Sequence, residues 1–267
     1  MSKQNRPVVP ALQHNVEMYD AYYQKPDWWF RFRYDTQVKR KTCWHLLRLS
    51  KHNLKNQRIL EIGFGSGAVL FSFDTSCELF GVEISRSAVD RATQKAKENG
   101  YQTFEFKLSL ENTLPYPDAR FDIVIASHVV EHVEDDRKLM DEIRRVLRPD
   151  GVAIILIPIN ENYQDPNHLR RYTGSQFMDL AKSCSFRVVN ALENELLFHL
   201  VETFYFEEFN YRWKVLGPFI AGLFNFPTSV LPFWSYQVIE RAMILLGWRP
   251  RQFGCVLAKQ EFSPEGK

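Results

Sequence analysis

The sequence predicts an α/β fold in which a doubly wound, mostly parallel sheet of seven strands carries helices on both faces. Two observations lead to this prediction. From Arg58 onward, short apolar runs alternate with amphipathic stretches, which is typical of strands that are buried on both faces. A glycine-rich turn directly follows the first run, where an open α/β sheet passes from strand to helix.

The predicted strands are RILEI, LFGVEI, FEFKL, FDIVIAS, VAIILIPI, FRVVNAL and, after a long gap, FGCVLAK. Ser85 or Ser87 is expected to cap the helix that follows the second strand. This helix should end at Gly100, because glycine readily adopts the left-handed conformation that closes a helix.

Proline and glycine mark the ends of the later elements. A helix from about Asp135 should end near Leu147, because Pro149 disfavours helical backbone at the residue before it. Asp150-Gly151 is then expected to form a turn into the next strand. A further helix is predicted from about Ser175 to Ser183.

Three parts of the chain differ in character. Residues 1–50 contain aromatic and basic pieces broken at Pro26, and they predict an N-terminal helical arm. Residues 51–192 and 252–262 are expected to form the sheet domain. Residues 193–251 are too long for a simple loop, so we interpret them as a mostly helical, apolar insertion before the last strand.

Composition restricts the class of protein. The 34 Lys and Arg residues against 32 Asp and Glu give a net charge of +2, which argues against nucleic acid as a main partner. The four cysteines form no Cys-x-x-Cys pair, so neither a disulfide framework nor a zinc ribbon is indicated. No apolar run near the N-terminus suits a signal peptide, and we expect a cytoplasmic protein.

The segment RILEIGFGSG is the most informative motif. Gly63, Gly65 and Gly67 allow a sharp turn and let backbone N–H groups approach a ligand at the first strand-to-helix junction. The residues Gly63, Gly65 and Ala68 also satisfy the dinucleotide pattern G-x-G-x-x-A, so this spacing leaves a nicotinamide cofactor open.

Glu83 ends the second predicted strand, about twenty residues after the glycines. A carboxylate there can accept hydrogen bonds from both ribose hydroxyls of a bound adenosine. This favours an adenosine cofactor with a free ribose, and the alternative is a solvated acid at a strand end.

Five motifs follow one another in this part of the chain: Glu61-x-Gly63-x-Gly65-x-Gly67, Glu83, LPYPDARFDIVIAS, VVEHV and RRVLRPDG. Together they resemble the class I S-adenosylmethionine-dependent methyltransferases, in particular the small-molecule type related to the ubiquinone and menaquinone methyltransferases. The resemblance covers about Arg58 to Asn190 and not the insertion. It implies a Rossmann-like fold, S-adenosylmethionine as the cofactor, and methyl transfer to a small molecule.

The resemblance also implies site residues. Glu61 and the glycines would line the methionine part of the cofactor, and Glu83 would bind its ribose. Where the family usually has an Asp at the adenine, this chain reads LSLENT. The implied cofactor-binding set is Glu61, Gly63, Phe64, Gly65, Gly67, Glu83, Ile84, Ser109, Leu110, Glu111, Ser127 and His128.

Three histidines follow predicted strands at the edge where α/β sheets bind ligands. His168 and His128 are the candidate catalytic residues, as bases for a hydroxyl acceptor, and His168 alternatively stabilises its loop. His132 is expected on a helix that begins near His128, where it would act with Glu131 to brace the site. A metal at that pair lacks a clear third ligand, and none is predicted.

The aromatic residues of the arm are expected to pack in the core. They include Tyr19, Tyr22, Tyr23, Trp28 and Trp29. The resemblance implies instead that an N-terminal helix covers the cofactor, with Tyr23 or Arg33 near its methionine end.

The insertion is interpreted as a lid over an apolar acceptor. Residues 215–239 carry no charge until Glu240, but Pro218, Pro227 and Pro232 break any single spanning helix. Peripheral membrane contact through 215–239, or a dimer surface, remains open, as does the oligomeric state. The alternative functions are an NAD-dependent oxidoreductase and a non-catalytic S-adenosylmethionine-binding protein.

Overall fold

The structure is a computed structural model that describes residues 8–26, 30, 33–109, 113–160, 168–194 and 230–260, without the side chains of 8–14 and 34. The helices are α1 Val8–Tyr22, α2 Tyr34–Leu49, α3 Arg86–Glu98, α4 Asp136–Val146, α5 Gly174–Ser183 and α6 Phe233–Leu245. The strands are β1 Arg58–Ile62, β2 Glu78–Glu83, β3 Phe104–Leu108, β4 Phe121–Ser127, β5 Leu147–Pro158, β6 Phe186–Asn194 and β7 Gln252–Lys259. Single 3₁₀ turns lie at Leu70–Ser72 and Val130–His132.

The seven strands form one sheet in the order β3-β2-β1-β4-β5-β7-β6. The first five are parallel, and β7 runs antiparallel to both β5 and β6. The predicted seven-stranded, mostly parallel α/β fold is therefore confirmed.

The strands bury alternate side chains on opposite faces of the sheet. Leu60 belongs to a core on the face covered by α4 and α5, and Ile59 to a core on the face covered by α2 and α3. This two-sided burial explains why the strand sequences are almost continuously apolar.

Capping follows the predicted signals. The Ser85 hydroxyl accepts a hydrogen bond from the Ala88 amide and begins α3, and Gly100 beyond its end has φ +80°. Thr173 and Gln176 form a reciprocal capping box at the start of α5.

Two local predictions were wrong. Asp150-Gly151 forms no separate turn, because β5 already begins at Leu147, which pairs with Phe121 before residues 148–151 bulge out opposite Asp122. The expected α-helix beginning near His128 is only the 3₁₀ turn Val130–His132, since Val133 returns to extended backbone.

The insertion leaves the sheet between two paired strand ends. β6 continues through Asn194, which stands opposite Gln252 in β7. Within the insertion the structure describes residues 230–251, where α6 packs on α2 through the rings of His45 and Phe233, whose centroids are 4.7 Å apart. None of the described helices is both long and apolar enough to cross a membrane.

Candidate active site

The glycine loop lies at the carboxyl end of β1 in a conformation that disfavours other residues. Gly63, Gly65 and Gly67 have φ values of +65°, +50° and +69°. A Cβ atom on Gly63 would lie 2.6 Å from the Val129 side chain, and one on Gly65 would overlap the Tyr23 hydroxyl. Both backbone conformation and space therefore require glycine at these positions.

Glu83, at the end of β2, holds the glycine loop. One carboxylate oxygen accepts a 2.8 Å hydrogen bond from the Gly65 amide, and the other accepts one of 2.8 Å from Ile84 and one of 3.3 Å from Ser85. Burial raises the pKa of Glu83, against the lowering effect of these amides. Glu83 is thus a buried, hydrogen-bonded acid and not a solvated acid at a strand end.

Glu61 is a second buried acid, on β1. Its Oε2 atom is inaccessible to solvent, and no described residue donates a hydrogen bond to that atom. Burial, followed by the nearby charge of Glu83, raises the pKa of Glu61 to about 8, although a Leu70 backbone hydrogen bond opposes the rise. A cationic ligand group would favour ionisation of this carboxyl group.

The end of α1 closes over the loop. Asp20 accepts hydrogen bonds from the Ser85 hydroxyl at 2.9 Å and the Ser87 amide at 2.7 Å, which fastens α1 to the start of α3. Tyr23 lies just beyond, and its pKa is raised well above the usual value by burial and by Glu83. The Arg33 side chain is turned toward Asp35, with 2.9 Å between Nε and Oδ1.

His128 follows β4 with φ +57°, a backbone conformation uncommon outside glycine. Its Nε2 atom lies 2.9 Å from Oε1 of Gln252, and its Nδ1 atom lies 3.6 Å from Oε1 of Glu131. Burial lowers the pKa of His128 well below its usual value. Both ring nitrogens therefore face protein groups.

Glu131, His132 and His168 lie together on the same sheet edge. The Glu131 side chain is fully buried, and its Oε1 atom lies 3.9 Å from Nε2 of His132. The rings of His132 and His168 meet edge to face with centroids 4.8 Å apart. The structure thus adds His168 to the Glu131/His132 pair, which the sequence analysis considered without it.

Other predicted site residues lie around the loop. Phe64 is buried against Gly81, the Ser109 amide donates to the Glu83 carbonyl oxygen, and the buried Ser127 hydroxyl has no partner among the described residues. Leu110 and Glu111 fall outside the described residues, as do Trp28 and Trp29.

A buried amide chain behind His128 was not predicted. The Gln252 amide nitrogen donates to Asn194 at 2.9 Å, and Asn194 donates to the Thr42 hydroxyl at 2.7 Å. The only sequence signal was that Asn194 and Gln252 lie near the two ends of the insertion. No spacing rule relates them to His128.

Comparison with known proteins identifies the class. A family model described as "Methyltransferase domain" matches residues 60–155. Over 165 residues the chain is 30% identical to YrhH of Bacillus subtilis, which is named as a methyltransferase, and the match covers 60% of this chain and 89% of YrhH. The methyltransferase YcgJ of the same organism is 29% identical over 134 residues, or 45% of this chain and only 53% of YcgJ.

The fold is shared more widely. The crystal structure of coclaurine N-methyltransferase bound to N-methylheliamine and SAH superposes with a TM-score of 0.55 at 16% identity, and the superposition covers 84% of this chain and 71% of that one. Fold and site together define a class I methyltransferase.

The chain belongs to the S-adenosylmethionine-dependent methyltransferase family, and its cofactor is S-adenosylmethionine. This decides between the adenosine cofactors that the glycine spacing left open. The residues present fit that group, because three left-handed glycines form a tight turn at the carboxyl end of β1. In addition, one buried oxygen each of Glu61 and Ser127 has no hydrogen-bond partner among the described residues, so a bound ligand can supply one.

Proposed function

We propose that the chain methylates a small acceptor that binds between the glycine loop and the histidines after β4. When bound, the cofactor supplies a methyl group made electrophilic by the sulfonium. Glu83 would hold the ribose and the Gly63–Gly67 loop, with Glu61, would hold the methionine part. The predicted contributions of Phe64, Ile84, Ser109 and Ser127 are part of this proposal.

One contact carries the proposal. Gly63 packs directly against Val129, which lies between His128 and the turn bearing Glu131 and His132. The cofactor loop and the histidine cluster are therefore adjacent, and an acceptor held there would lie close to the methionine end of the loop. Alignment of this kind lowers the barrier by several kcal/mol.

The two candidate bases differ in their surroundings. His128 has one ring nitrogen on Gln252 and the other near Glu131, which favours a positioning role in the cluster. His168 is partly exposed beside His132, so we propose that His132 and His168 form the acceptor side.

The insertion is proposed as the lid of this pocket. Gln252, which directly follows the insertion, donates a hydrogen bond to Asn194 near its start. Gln252 also forms a hydrogen bond with His128. A change in the insertion would thus act directly on the site. Most of residues 193–251 lies outside the described residues.

The described part of the insertion favours an apolar acceptor or a membrane surface. On α6, Trp234, Val238 and Leu245 share one face and are 66%, 59% and 88% exposed. Such an apolar face on an exposed helix usually meets a partner. Arg241 on the same helix and Arg249 beyond it could contact anionic lipid.

The test is to replace residues 195–250 by a short linker and to measure S-adenosylmethionine binding by calorimetry and methyl transfer by mass spectrometry. The acceptors are a panel of apolar alcohols and phenols. We expect cofactor binding to remain and transfer to disappear, and full transfer by the shortened chain would refute the lid.

Membrane contact is tested separately by flotation of the full chain with anionic vesicles. A Trp234→Ser/Val238→Ser variant should float less, because both side chains lie on the exposed apolar face. The control is Gln94→Ser, an exposed change on α3 that leaves the net charge unaltered. Equal recovery of wild type with and without vesicles would rule out the membrane contact only.

A further inference from the structure

The cluster beside the acceptor side has the composition of a metal site. One carboxylate oxygen of Glu131 and one ring nitrogen each of His132 and His168 lie within 4.8 Å of one another. Three such atoms can converge on one ion after small side-chain rotations, since metal–ligand distances near 2 Å place ligand atoms about 3 to 3.5 Å apart.

The backbone holds these ligands in place although they come from two segments. The Leu169 amide donates a 2.9 Å hydrogen bond to the Glu131 carbonyl oxygen, so the residue after His168 is fixed to the turn. Arg170 donates to the carbonyl oxygens of Val133 and Glu134 at 2.7 and 2.6 Å. The cluster is therefore built into the fold.

Further contacts anchor the same segment. The Tyr172 hydroxyl donates to Asp136 at 2.5 Å, and Arg170 lies 3.4 Å from the same carboxylate. Tyr172 also forms a bridge with Ile159 at the end of β5. A preformed ligand set lowers the ordering cost of binding an ion.

We infer that Glu131, His132 and His168 bind one divalent transition-metal cation, of the kind that zinc represents. Two imidazoles and one carboxylate suit such an ion and leave a coordination position for water or substrate. The fully buried Glu131 would supply the negative charge, and the partly exposed histidines leave the remaining position open toward the acceptor side.

The neighbours fit this arrangement. The Nδ1 atom of His128 lies 3.6 Å from Oε1 of Glu131, and its Nε2 atom is held by Gln252. His128 would therefore orient the Glu131 carboxylate without itself being a ligand of the ion. Groups of this kind around the ligands tune metal affinity. Hydrogen bonds from Gln252 to Asn194 and from Asn194 to Thr42 would connect His128 to α2.

The acceptor class follows, and this step rests on the proposed function. An open position on such a cation binds an oxygen ligand, which favours an acceptor with a hydroxyl group next to the transferred position. His168 would then be a ligand, and its lone pair would not serve as the base.

The experiment uses the full chain, stripped with a chelator and titrated with Zn²⁺ by calorimetry and with Co²⁺ by visible absorption. We expect one ion per chain and a Co²⁺ spectrum of low-coordinate nitrogen and oxygen ligands. His132→Ala, His168→Ala and the isosteric Glu131→Gln should each weaken binding by at least about tenfold. His52→Ala, remote from the cluster, is the matched control and should bind as wild type.

Absence of saturable metal binding by the wild type, or wild-type affinity in the three cluster variants, would overturn the inference. S-adenosylmethionine binding by the same preparations reports separately on the cofactor site and shows that the variants are folded. Loss of metal with normal cofactor binding leaves the proposed function intact. Metal binding without cofactor binding contradicts the proposed function alone.

Discussion

The hydroxyl group of Tyr23 occupies the space that a Cβ atom on Gly65 would need. The N-terminal arm thus packs against the glycine loop through the contact of Tyr23 with Gly65. Glu83 holds the loop at the same residue, because its carboxylate accepts a hydrogen bond from the Gly65 amide. Burial and, after it, the charge of Glu83 raise the pKa of Tyr23. The loop is consequently held from one side by the sheet and from the other by the arm.

Gly65→Ala should weaken S-adenosylmethionine binding by at least about tenfold, because the methyl group collides with Tyr23 and the φ of +50° disfavours alanine. The measurement is calorimetric titration. Gly100→Ala is the matched control, since Gly100 has φ +80° but nothing within 4 Å of an added Cβ. Similar losses of affinity in both variants would show that backbone strain, and not the contact with Tyr23, is responsible.

Glu83→Gln should reduce cofactor affinity by about 1.5 to 3 kcal/mol, the range for hydrogen bonds to a charged group. It should also loosen the glycine loop, because one oxygen that receives a backbone amide is lost. Glu78→Gln at the other end of β2 is the control, since its ion pair with Arg58 is exposed and contributes little. Unchanged calorimetric affinity for Glu83→Gln would remove Glu83 from the site.

Glu61→Gln should make the stability of the cofactor-free protein less dependent on pH between about 4.5 and 8. The pKa of Glu61 is about 8 in the folded chain against 4.5 in the free residue, so the folded state binds the proton more tightly. The stability of the wild type therefore falls as pH rises from about 4.5 to 8. Melting temperatures across this range should fall less for the variant.

The same substitution should weaken cofactor binding, because a neutral amide cannot neutralise a cationic ligand group. The opposite signs of the two effects distinguish a binding role for Glu61 from a purely structural one. If the melting temperatures of wild type and variant changed equally with pH, the raised pKa of Glu61 would not be the cause of the pH dependence.

Asp20→Ala should release α1 from α3, because the carboxylate is the acceptor for both Ser85 and Ser87. Hydrogen exchange within residues 15–22 should accelerate, and cofactor affinity should fall as Tyr23 loses its support. The Ser87 amide and the other donors lower the pKa of Asp20, so this anchor is present above about pH 4 and is lost only as pH falls through the lowered pKa.

Asp90→Ala, an exposed change on α3, is the control for this experiment and should leave the exchange of α1 unchanged. Normal protection of α1 in Asp20→Ala would show that other contacts hold the arm.

The strands could be predicted from the sequence, because a strand that is buried on both faces of a sheet consists of consecutive apolar residues. The glycine loop and Glu83 were also predictable, since a tight left-handed turn and its carboxylate partner have a fixed spacing within one strand-helix-strand unit. The cap at Ser85 follows from the same local chemistry.

Tertiary structure alone decided the rest. His168 reaches Glu131 and His132 because the Leu169 amide donates to the Glu131 carbonyl oxygen and Arg170 donates to those of Val133 and Glu134. No local sequence pattern encodes these contacts. Asn194 and Gln252 meet because β7 inserts antiparallel between β5 and β6. Such contacts depend on strand order and register, which are set by the packing of the whole sheet, whereas strands, caps and turns are set by neighbouring residues.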